Sequence, residues 1–327
     1  MKTIDRKLCA LALVTCIPAA TATAAVTIDW VAVGNAGNAS DSTGFGAVGY
    51  DYLIARNETT IGQYAEFLNA VAKTDTYGLY NTGMTTSYIN GISRGGSPGD
   101  YSYAVTAGSE HKPITYTNWF DAARFCNWLH NGQPTGGTQT VGTTEDGAYF
   151  LNGATSGAGV AKKAGATVWI PTEDEWYKAA YYDATKGGTG GYWLHANRSD
   201  AMTTNDIGVA GAANFQDANG YATYVGGASW AITDAGAYGA NSRSFYGTDD
   251  QGGNVWEWND AVVGSSRGLR GGSWANGENE LRSLFRNFSG PDSGGAGIGF
   301  RVASVPEPSS MVAAMMFSGL LLTRRKR

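Results

Sequence analysis

Seven residues late in the chain, GGNVWEW at 252–258, say most about its fold. Two tryptophans and a carboxylate follow paired glycines within five residues, and the stretch LRGGSW at 269–274 again combines paired glycines with a tryptophan. Glycines let two backbone segments approach closely, whereas tryptophans bury large apolar areas and donate their indole N–H groups to loop carbonyls. These stretches therefore predict a compact domain in which buried aromatic side chains hold irregular loops together.

The composition of the 327-residue chain supports a folded, loop-rich domain. Its 47 glycines are roughly twice the usual share, and charged residues make up only 16% of the chain, below the usual ~25%. Aromatic residues reach 12%, which excludes a disordered chain, because disordered segments are poor in them. With 8 prolines and no Gly-X-Y period, a collagen-like chain is also excluded.

Helical periodicity and capping signals predict about three helices. Thr-x-x-Gln and Thr-x-x-Glu capping boxes begin at residues 60 and 172, and apolar residues follow each box at helical spacing. Another helix begins at Thr117 or Asn118 and ends at Asn131-Gly132, because glycine there allows a left-handed cap.

Short apolar runs alternate with clusters of Gly, Asn, Asp and Ser, which predicts short strands separated by long loops. The predicted strands are 52–55, 167–170, 255–258, 268–274 and 299–303. Residues 76–112 and 184–250 show little periodicity and are expected to form ordered surface loops. We predict one loop-rich α+β domain over residues 25–304.

The first 24 residues have the order of a secretory signal peptide. Lys2, Arg6 and Lys7 form a basic start, residues 8–20 are apolar, and Ala22-Thr23-Ala24 supplies small residues for cleavage. We expect signal peptidase to remove residues 1–24 and the protein to be exported.

The last segment, residues 305–327, combines three features in a fixed order. They are the Pro-Glu-Pro sequence at 306–308, an apolar segment at 311–322 and the basic end RRKR. The apolar segment is shorter than the ~20 residues that span a membrane as a helix, and the basic end is retained in the cytoplasm. The order resembles a PEP-CTERM sorting signal. The resemblance implies a Gram-negative bacterium, initial anchoring in the inner membrane, processing by an exosortase, and a cell-envelope or exopolysaccharide setting.

Charge, cysteine and histidine usage exclude several functions. The two ends hold seven of the 23 basic residues and two of the 28 acidic ones, so residues 25–304 carry a net charge of about −10. Nucleic acid and anionic membranes are therefore not expected as partners. Cys126 is the one cysteine of that segment, and the histidines lack metal-type spacing. An internal disulfide and zinc hydrolase chemistry are therefore not expected.

Seven segments resemble one protein family when they are taken in order. They are NETTIGQY (57–64), DAARFCNW (121–128), IPTEDEW (170–176), GGNVWEW (252–258), LRGGSW (269–274), RN (286–287) and GFRV (299–302). The set is similar to the sulfatase-modifying-factor, or formylglycine-generating-enzyme, domain and covers about residues 28–304. The resemblance implies an irregular, C-type-lectin-like α+β fold that often binds calcium.

The stretch from Asp250 to Glu257 is the predicted calcium site. Calcium takes six to eight oxygen ligands, which include carboxylates and backbone carbonyls. In an extended segment the carbonyls of Gly253 and Val255 and the Glu257 side chain can converge, with Asp250 reaching back. The resemblance implies calcium binding at this stretch. The alternative is that Glu257 pairs with an arginine in the core.

A second calcium site is implied near Asn214-Phe215, with Asp217 and Asn219 as further candidate ligands. This loop differs from the family in length and composition.

The resemblance also implies an activity that this chain is expected to lack. Family enzymes oxidise a sulfatase cysteine to formylglycine with copper and oxygen, using two cysteines of their own. Counted back from the GFR sequence at 299–301, those positions hold Glu278 and Ser283. Their oxygens are hard donors, whereas copper(I) requires soft thiolates, so copper is not expected as a cofactor. Cys126 is predicted to be a small buried residue.

Three functions remain open. The first is a binding module for a glycan, peptide or protein, and the second is a formylglycine-generating oxidoreductase that matures sulfatases. The third is a structural matrix protein. Aromatic residues that would contact a ligand in the first case are Tyr101, Tyr103, Tyr192, Trp193, Tyr221 and Tyr224. The replaced cysteine pair favours a catalytically inactive, calcium-stabilised binding module.

Overall fold

The computed structural model describes residues 25–86, 89–202, 204–218, 220 and 232–306. The predicted signal peptide and all but the first two residues of the predicted sorting segment lie outside these ranges, so both stay predictions. Within the described ranges, no helix has the length and apolar character needed to cross a membrane.

Three α-helices form in the described residues: α1 (Ile61–Val71), α2 (Trp119–His130) and α3 (Glu173–Tyr181). Each begins with a capping box, in which the N-cap side chain and the third helical residue exchange hydrogen bonds with each other's backbone. The caps at Thr60 and Thr172 confirm the predicted helix starts. Asn118 is the N-cap of α2, and Gly132 has a φ of 78° just after its end, as predicted.

The strands are short and form two main sheets and two hairpins. They are β1 (Trp30–Val33), β2 (Tyr52–Ala55), β3 (Ile92–Gly95), β4 (Ser102–Val105), β5 (Val168–Trp169), β6 (Tyr182–Asp183), β7 (Gly191–Tyr192), β8 (Trp256–Val263), β9 (Ser266–Arg270), β10 (Asn287–Ser289), β11 (Ile298–Gly299) and β12 (Ala303–Ser304). One sheet has the order β1-β2-β12-β5 and the other β10-β9-β8-β11. The strands β3 and β4 pair with each other, as do β6 and β7. The predicted α+β class is confirmed.

Aromatic side chains between α1, α2 and the C-terminal strands form the centre of the main core. The ring centroids of Phe67 and Phe125 lie 5.3 Å apart, and Phe125 contacts Phe300 at 5.5 Å with edge-on geometry. Such edge-to-face pairs add about 0.5–1.5 kcal/mol each to the free energy of area burial. This core fixes the segment between β11 and β12, which carries the candidate site.

β9 ends at Arg270 rather than at the predicted residue 274, because Gly271 and Gly272 adopt φ values of 100° and 75°. Two further differences concern another predicted strand and a predicted loop. The predicted strand 299–303 is divided into β11 and β12, because Phe300 is buried in the core and Arg301 hydrogen-bonds to carbonyls of another segment. The predicted loop 76–112 contains the β3–β4 hairpin, whose residues are mostly exposed, so no apolar alternation marks it.

Candidate functional site

A buried ion pair connects β8 to the segment between β11 and β12. Glu257, near the start of β8, and Arg301, between β11 and β12, are both fully buried. The guanidinium donates from Nε to Glu257 Oε2 at 2.6 Å and from Nη2 to Oε1 at 2.7 Å. The indole N–H of Trp176 donates to Oε2 at 2.7 Å. Glu257 therefore has the arginine partner that the sequence analysis left open as the alternative to calcium.

All five N–H groups of Arg301 are used. Besides the two bonds to Glu257, Nη1 donates to the carbonyls of Ala55 and Arg56 at 3.0 and 2.8 Å. The second N–H of Nη2 donates to the carbonyl of Asp249 at 2.9 Å. A guanidinium has five donors, so none is left for another carboxylate. Arg301 thus ties β2 and the loop before β8 to Glu257.

Asp250 and Asn254 shape the loop that leads into β8. Both adopt left-handed backbone conformations, with φ of 59°, which is uncommon for residues with a side chain. The Asp250 carboxylate accepts a hydrogen bond from the Gly236 backbone at 2.6 Å. Burial raises the pKa of Asp250 to about 7.

Asn254 joins the two predicted calcium segments. Its Oδ1 accepts from Asn214 Nδ2 at 2.9 Å, and its backbone N–H donates to the Asn214 carbonyl at 2.8 Å. Its Nδ2 donates to Glu58 Oε1 at 3.1 Å. The structure therefore brings Asn214 beside the Gly253–Val255 segment. Asp217 lies in a turn in which its backbone N–H pairs with Gly220.

Glu58 is the buried acid that the sequence analysis missed. Its side chain is 1% exposed, and its Oε2 has no hydrogen-bond partner in the described structure. Burial, and then the nearby Asp250, raise the pKa of Glu58 well above its usual range. The local signal was weak, since the residue stands between β2 and the capping box of α1 and contacts groups far away in sequence.

The described residues contain no group of three His, Cys, Asp or Glu side chains placed to hold a metal ion. A cation beside Asp250 would therefore take most of its ligands from carbonyl and amide oxygens, which calcium accepts. The buried oxygen of Glu58 without a partner and the Asp250 carboxylate fit such an ion, because neither forms an ion pair in the described structure.

Glu278 and Ser283 lie at the two positions predicted to replace the cysteine pair. The Glu278 carboxylate is 3.0 Å from Arg282 Nη2 and 3.4 Å from Nε2 of the buried His195. Ser283 is buried, and its backbone N–H donates to the Leu194 carbonyl at 2.8 Å. Burial lowers the pKa of His195. These groups hold the 194–200 loop and the 278–283 segment together.

Large apolar side chains are exposed directly after Ser283. Leu284 is 66% exposed and Phe288, on the edge strand β10, is 55% exposed. Phe285 is partly exposed and packs on Trp256 with ring centroids 5.9 Å apart. Three large apolar side chains are thus exposed within five residues of sequence.

Cys126 is a free cysteine that lies fully buried in the main core on α2. Burial raises the pKa of its thiol well above the usual value, which suppresses the thiolate that binds metals and attacks substrates. The residue therefore packs as a small apolar side chain, as predicted.

The four loop aromatics that lie in the described ranges pack within separate loops. Tyr103 is buried, the Tyr192 hydroxyl lies 2.8 and 2.9 Å from the Ala39 and Gly46 carbonyl oxygens, and the Trp193 indole donates to Asp183. The Tyr101 ring packs under the guanidinium of Arg94. These contacts stabilise separate loops. Tyr221, Tyr224 and the candidate ligand Asn219 lie outside the described residues.

Comparison with known proteins gives one family and several similar structures. A family model described as "Sulfatase-modifying factor enzyme 1-like domain" matches residues 40–305. No curated protein sequence matches the chain.

Three solved structures are similar to this chain. The crystal structure of CarF is 20% identical, covers 86% of this chain and 99% of its own, and has a TM-score of 0.47. Variable protein 1 of Treponema denticola is 18% identical, with coverage of 85% and 95% and a TM-score of 0.46. PvdO from Pseudomonas aeruginosa is 17% identical, with coverage of 85% and 92% and a TM-score of 0.44. Identities of this size concern the fold alone.

Proposed function

The chain belongs to the family of sulfatase-modifying factor enzyme 1-like domains, and we propose that it is an exported, catalytically inactive member that acts by binding. Its predicted cofactor is a structural calcium ion. Its ligand is a glycan or a protein of the cell envelope or the exopolysaccharide.

The observation that carries the proposal is the chemistry at positions 278 and 283. A pair of thiolates is needed there to bind copper(I), and the chain supplies the Glu278 carboxylate and the Ser283 hydroxyl. Both residues contact neighbouring loops, and Glu278 faces Arg282 and His195. Cys126, the one cysteine of the described residues, is buried in the core. The residues present therefore do not fit copper.

Calcium, in contrast, fits the loop before β8. The Asp250 carboxylate, the carbonyl groups of Gly253 and Val255, and the amide of Asn214 supply hard oxygen atoms that calcium prefers. Glu257 is held by Arg301, but its Oε1 accepts a single hydrogen bond and keeps a lone pair. A bound ion would stabilise the long loops around residues 214 and 250 by linking them.

The exposed apolar side chains near Glu278 and Ser283 also support a binding role. Exposed apolar side chains, Leu284 and Phe288, follow Ser283 where an active family enzyme would have its reactive cysteines. The predicted signal peptide and sorting segment support export, with signal peptidase and an exosortase as processing enzymes and an initial anchor in the inner membrane. The strongly acidic segment 25–304 argues against nucleic acid as a partner.

An oxidation assay tests the proposal. The chain without residues 1–24 is loaded with copper and incubated with a sulfatase-type peptide containing Cys-x-Pro-x-Arg, and formylglycine is measured by mass spectrometry. We expect no conversion above the blank, beside a family enzyme that converts the peptide. Conversion by this chain would show an oxidase with a different copper site and would refute the proposal.

A further inference from the structure

Glu58 forms no ion pair in the described structure, although the charge of Arg301 acts on it electrostatically. Its Oε1 accepts the Asn254 amide at 3.1 Å, but its Oε2 is buried without a partner, and no Lys, Arg or His forms an ion pair with it. A buried polar atom without a partner costs about 1–3 kcal/mol, and more when it is charged. Native structures seldom retain such a group unless a ligand, a water or a proton satisfies it.

Arg301, the buried cation that acts electrostatically on Glu58, has no donor left for this carboxylate. Two of its N–H groups bind Glu257 and three bind the carbonyls of Ala55, Arg56 and Asp249. The internal residues outside the described ranges, 87–88, 203, 219 and 221–231, contain no Lys or Arg. In the described residues, Glu58 therefore has no cationic group hydrogen-bonded to it, and the through-space charge of Arg301 is shared with Glu257 and Asp250.

Asn254 directs Glu58 toward the predicted calcium loop. The same amide group that donates to Glu58 Oε1 carries the oxygen that accepts from Asn214, and Asn254 stands between Gly253 and Val255. Asp250, four residues earlier, also lacks an ion-pair partner and acts electrostatically on Glu58. Two unpaired buried carboxylates are thus brought to one loop, whereas Glu257 is already neutralised by Arg301.

We propose that Glu58 is a ligand of the calcium ion that binds the loop before β8. The negative charge of Glu257 is neutralised by Arg301, so Glu58 and Asp250 together supply the negative charge that the calcium ion requires. The inference rests on the proposed calcium site. It adds a carboxylate from the β2–α1 connection, about 200 residues away in sequence. The affinity of a site for calcium depends on the number of charged oxygen ligands, so the Glu58 carboxylate is expected to strengthen calcium binding.

Calcium titration of the full-length protein tests the assignment. The protein is stripped with EGTA, and its calcium Kd is measured by isothermal titration calorimetry for the wild type and for Glu58→Gln. Glu66→Gln, on α1 and outside the cluster, serves as the matched control. We expect Glu58→Gln to bind calcium at least tenfold more weakly and Glu66→Gln to bind like the wild type.

The melting temperature without calcium separates a ligand from a structural residue. Glutamine matches glutamate in size and can keep the hydrogen bond from Asn254, so the calcium-free melting temperature of Glu58→Gln is expected to equal or exceed that of the wild type. A wild type that binds calcium with the same Kd as Glu58→Gln would overturn the assignment of Glu58 alone. A wild type that binds no calcium would refute the proposed site and the assignment with it. Asp250→Asn gives an independent variant, with a similar loss of affinity expected.

Discussion

Arg301 shows how one residue can hold three segments together. Its guanidinium fork binds a carboxylate on β8 and three carbonyls from β2 and the loop before β8, in a place that water does not reach. Lysine has the same charge but lacks this planar set of five donors. The geometry of the fork, rather than its charge alone, therefore determines the position of Glu257.

Replacing Arg301 by lysine tests this role. We expect Arg301→Lys to lower the free energy of unfolding by about 3 kcal/mol, because buried carbonyls and part of the Glu257 carboxylate lose their donors. The control is Arg282→Lys, which alters the partly exposed ion pair with Glu278. This substitution should change the free energy of unfolding by less than about 1 kcal/mol. Urea denaturation measures both. Equal effects would show that the fork is not needed.

Gly253 is a second position where a single atom decides the structure. Its φ is 95°, and an added Cβ would lie 2.3 Å from the Asn214 carbonyl oxygen. We expect Gly253→Ala to destabilise the domain by about 3 kcal/mol, through backbone strain and this clash. Gly136→Ala, where the Cβ meets open space, is the control. Thermal melting of both variants measures the difference, and similar melting temperatures would contradict the close packing of residues 214 and 253.

His195 gives the domain a dependence on pH. Burial lowers the pKa of its imidazole, so the unfolded chain takes up a proton at a higher pH than the folded one. Its contribution to stability is present above about pH 6.5, the ordinary histidine pKa, and is lost as the pH falls toward the folded value. We expect the melting temperature to fall between pH 7.5 and 5 more steeply in the wild type than in His195→Gln. Parallel curves would exclude a contribution from this residue.

At the scale of elements, the sequence predicts the helices far better than the sheets. Capping boxes are local, and the exchange of hydrogen bonds between Thr60 and Gln63 or Thr172 and Glu175 is visible as a four-residue pattern. The strands have two to eight residues and gain order from partners far away in the chain. The β12–β2 and β12–β5 pairings, for example, leave no signal in residues 303–304 themselves.

Removing the N-cap side chain of α3 measures how much a capping box contributes to the free energy of unfolding. We expect Thr172→Ala to lower the free energy of unfolding by about 1 kcal/mol, because the backbone N–H of Glu175 loses its acceptor. Thr172→Ser keeps the hydroxyl and should stay close to the wild type. Urea denaturation distinguishes the two variants, and equal losses would indicate that packing of the threonine methyl, not capping, stabilises α3.

At the scale of the whole molecule, the family and the fold class were accessible from the sequence, but the site was only partly so. Motif order along the chain was sufficient to identify the family. The pairing of Glu257 with Arg301 was left as an alternative, because two partners 44 residues apart cannot be matched from spacing alone. Glu58 was missed for the same reason, since Asn254, which binds it, is 196 residues away.

Calcium should act on the stability of the entire domain. A ligand that binds only the folded state raises the free energy of unfolding by about 2.7 kcal/mol at a concentration of 100 times its Kd. We expect excess EGTA to lower the melting temperature and added calcium to restore it, whereas magnesium should restore little. An unchanged melting temperature, together with no calcium in elemental analysis, would refute the proposed structural calcium ion.

A copper(I)-binding measurement tests whether this chain lacks the copper site of the active family enzymes. The chain without residues 1–24, which include Cys9 and Cys16, is titrated with copper(I) in competition with a chromogenic chelator. The double variant Glu278→Cys with Ser283→Cys serves as a comparison. We expect the wild type to leave copper with the chelator, and the double variant, given the thiolate pair, to take up about one equivalent. One tightly bound copper ion in the wild type would contradict the proposal that this chain does not carry the copper chemistry of its family.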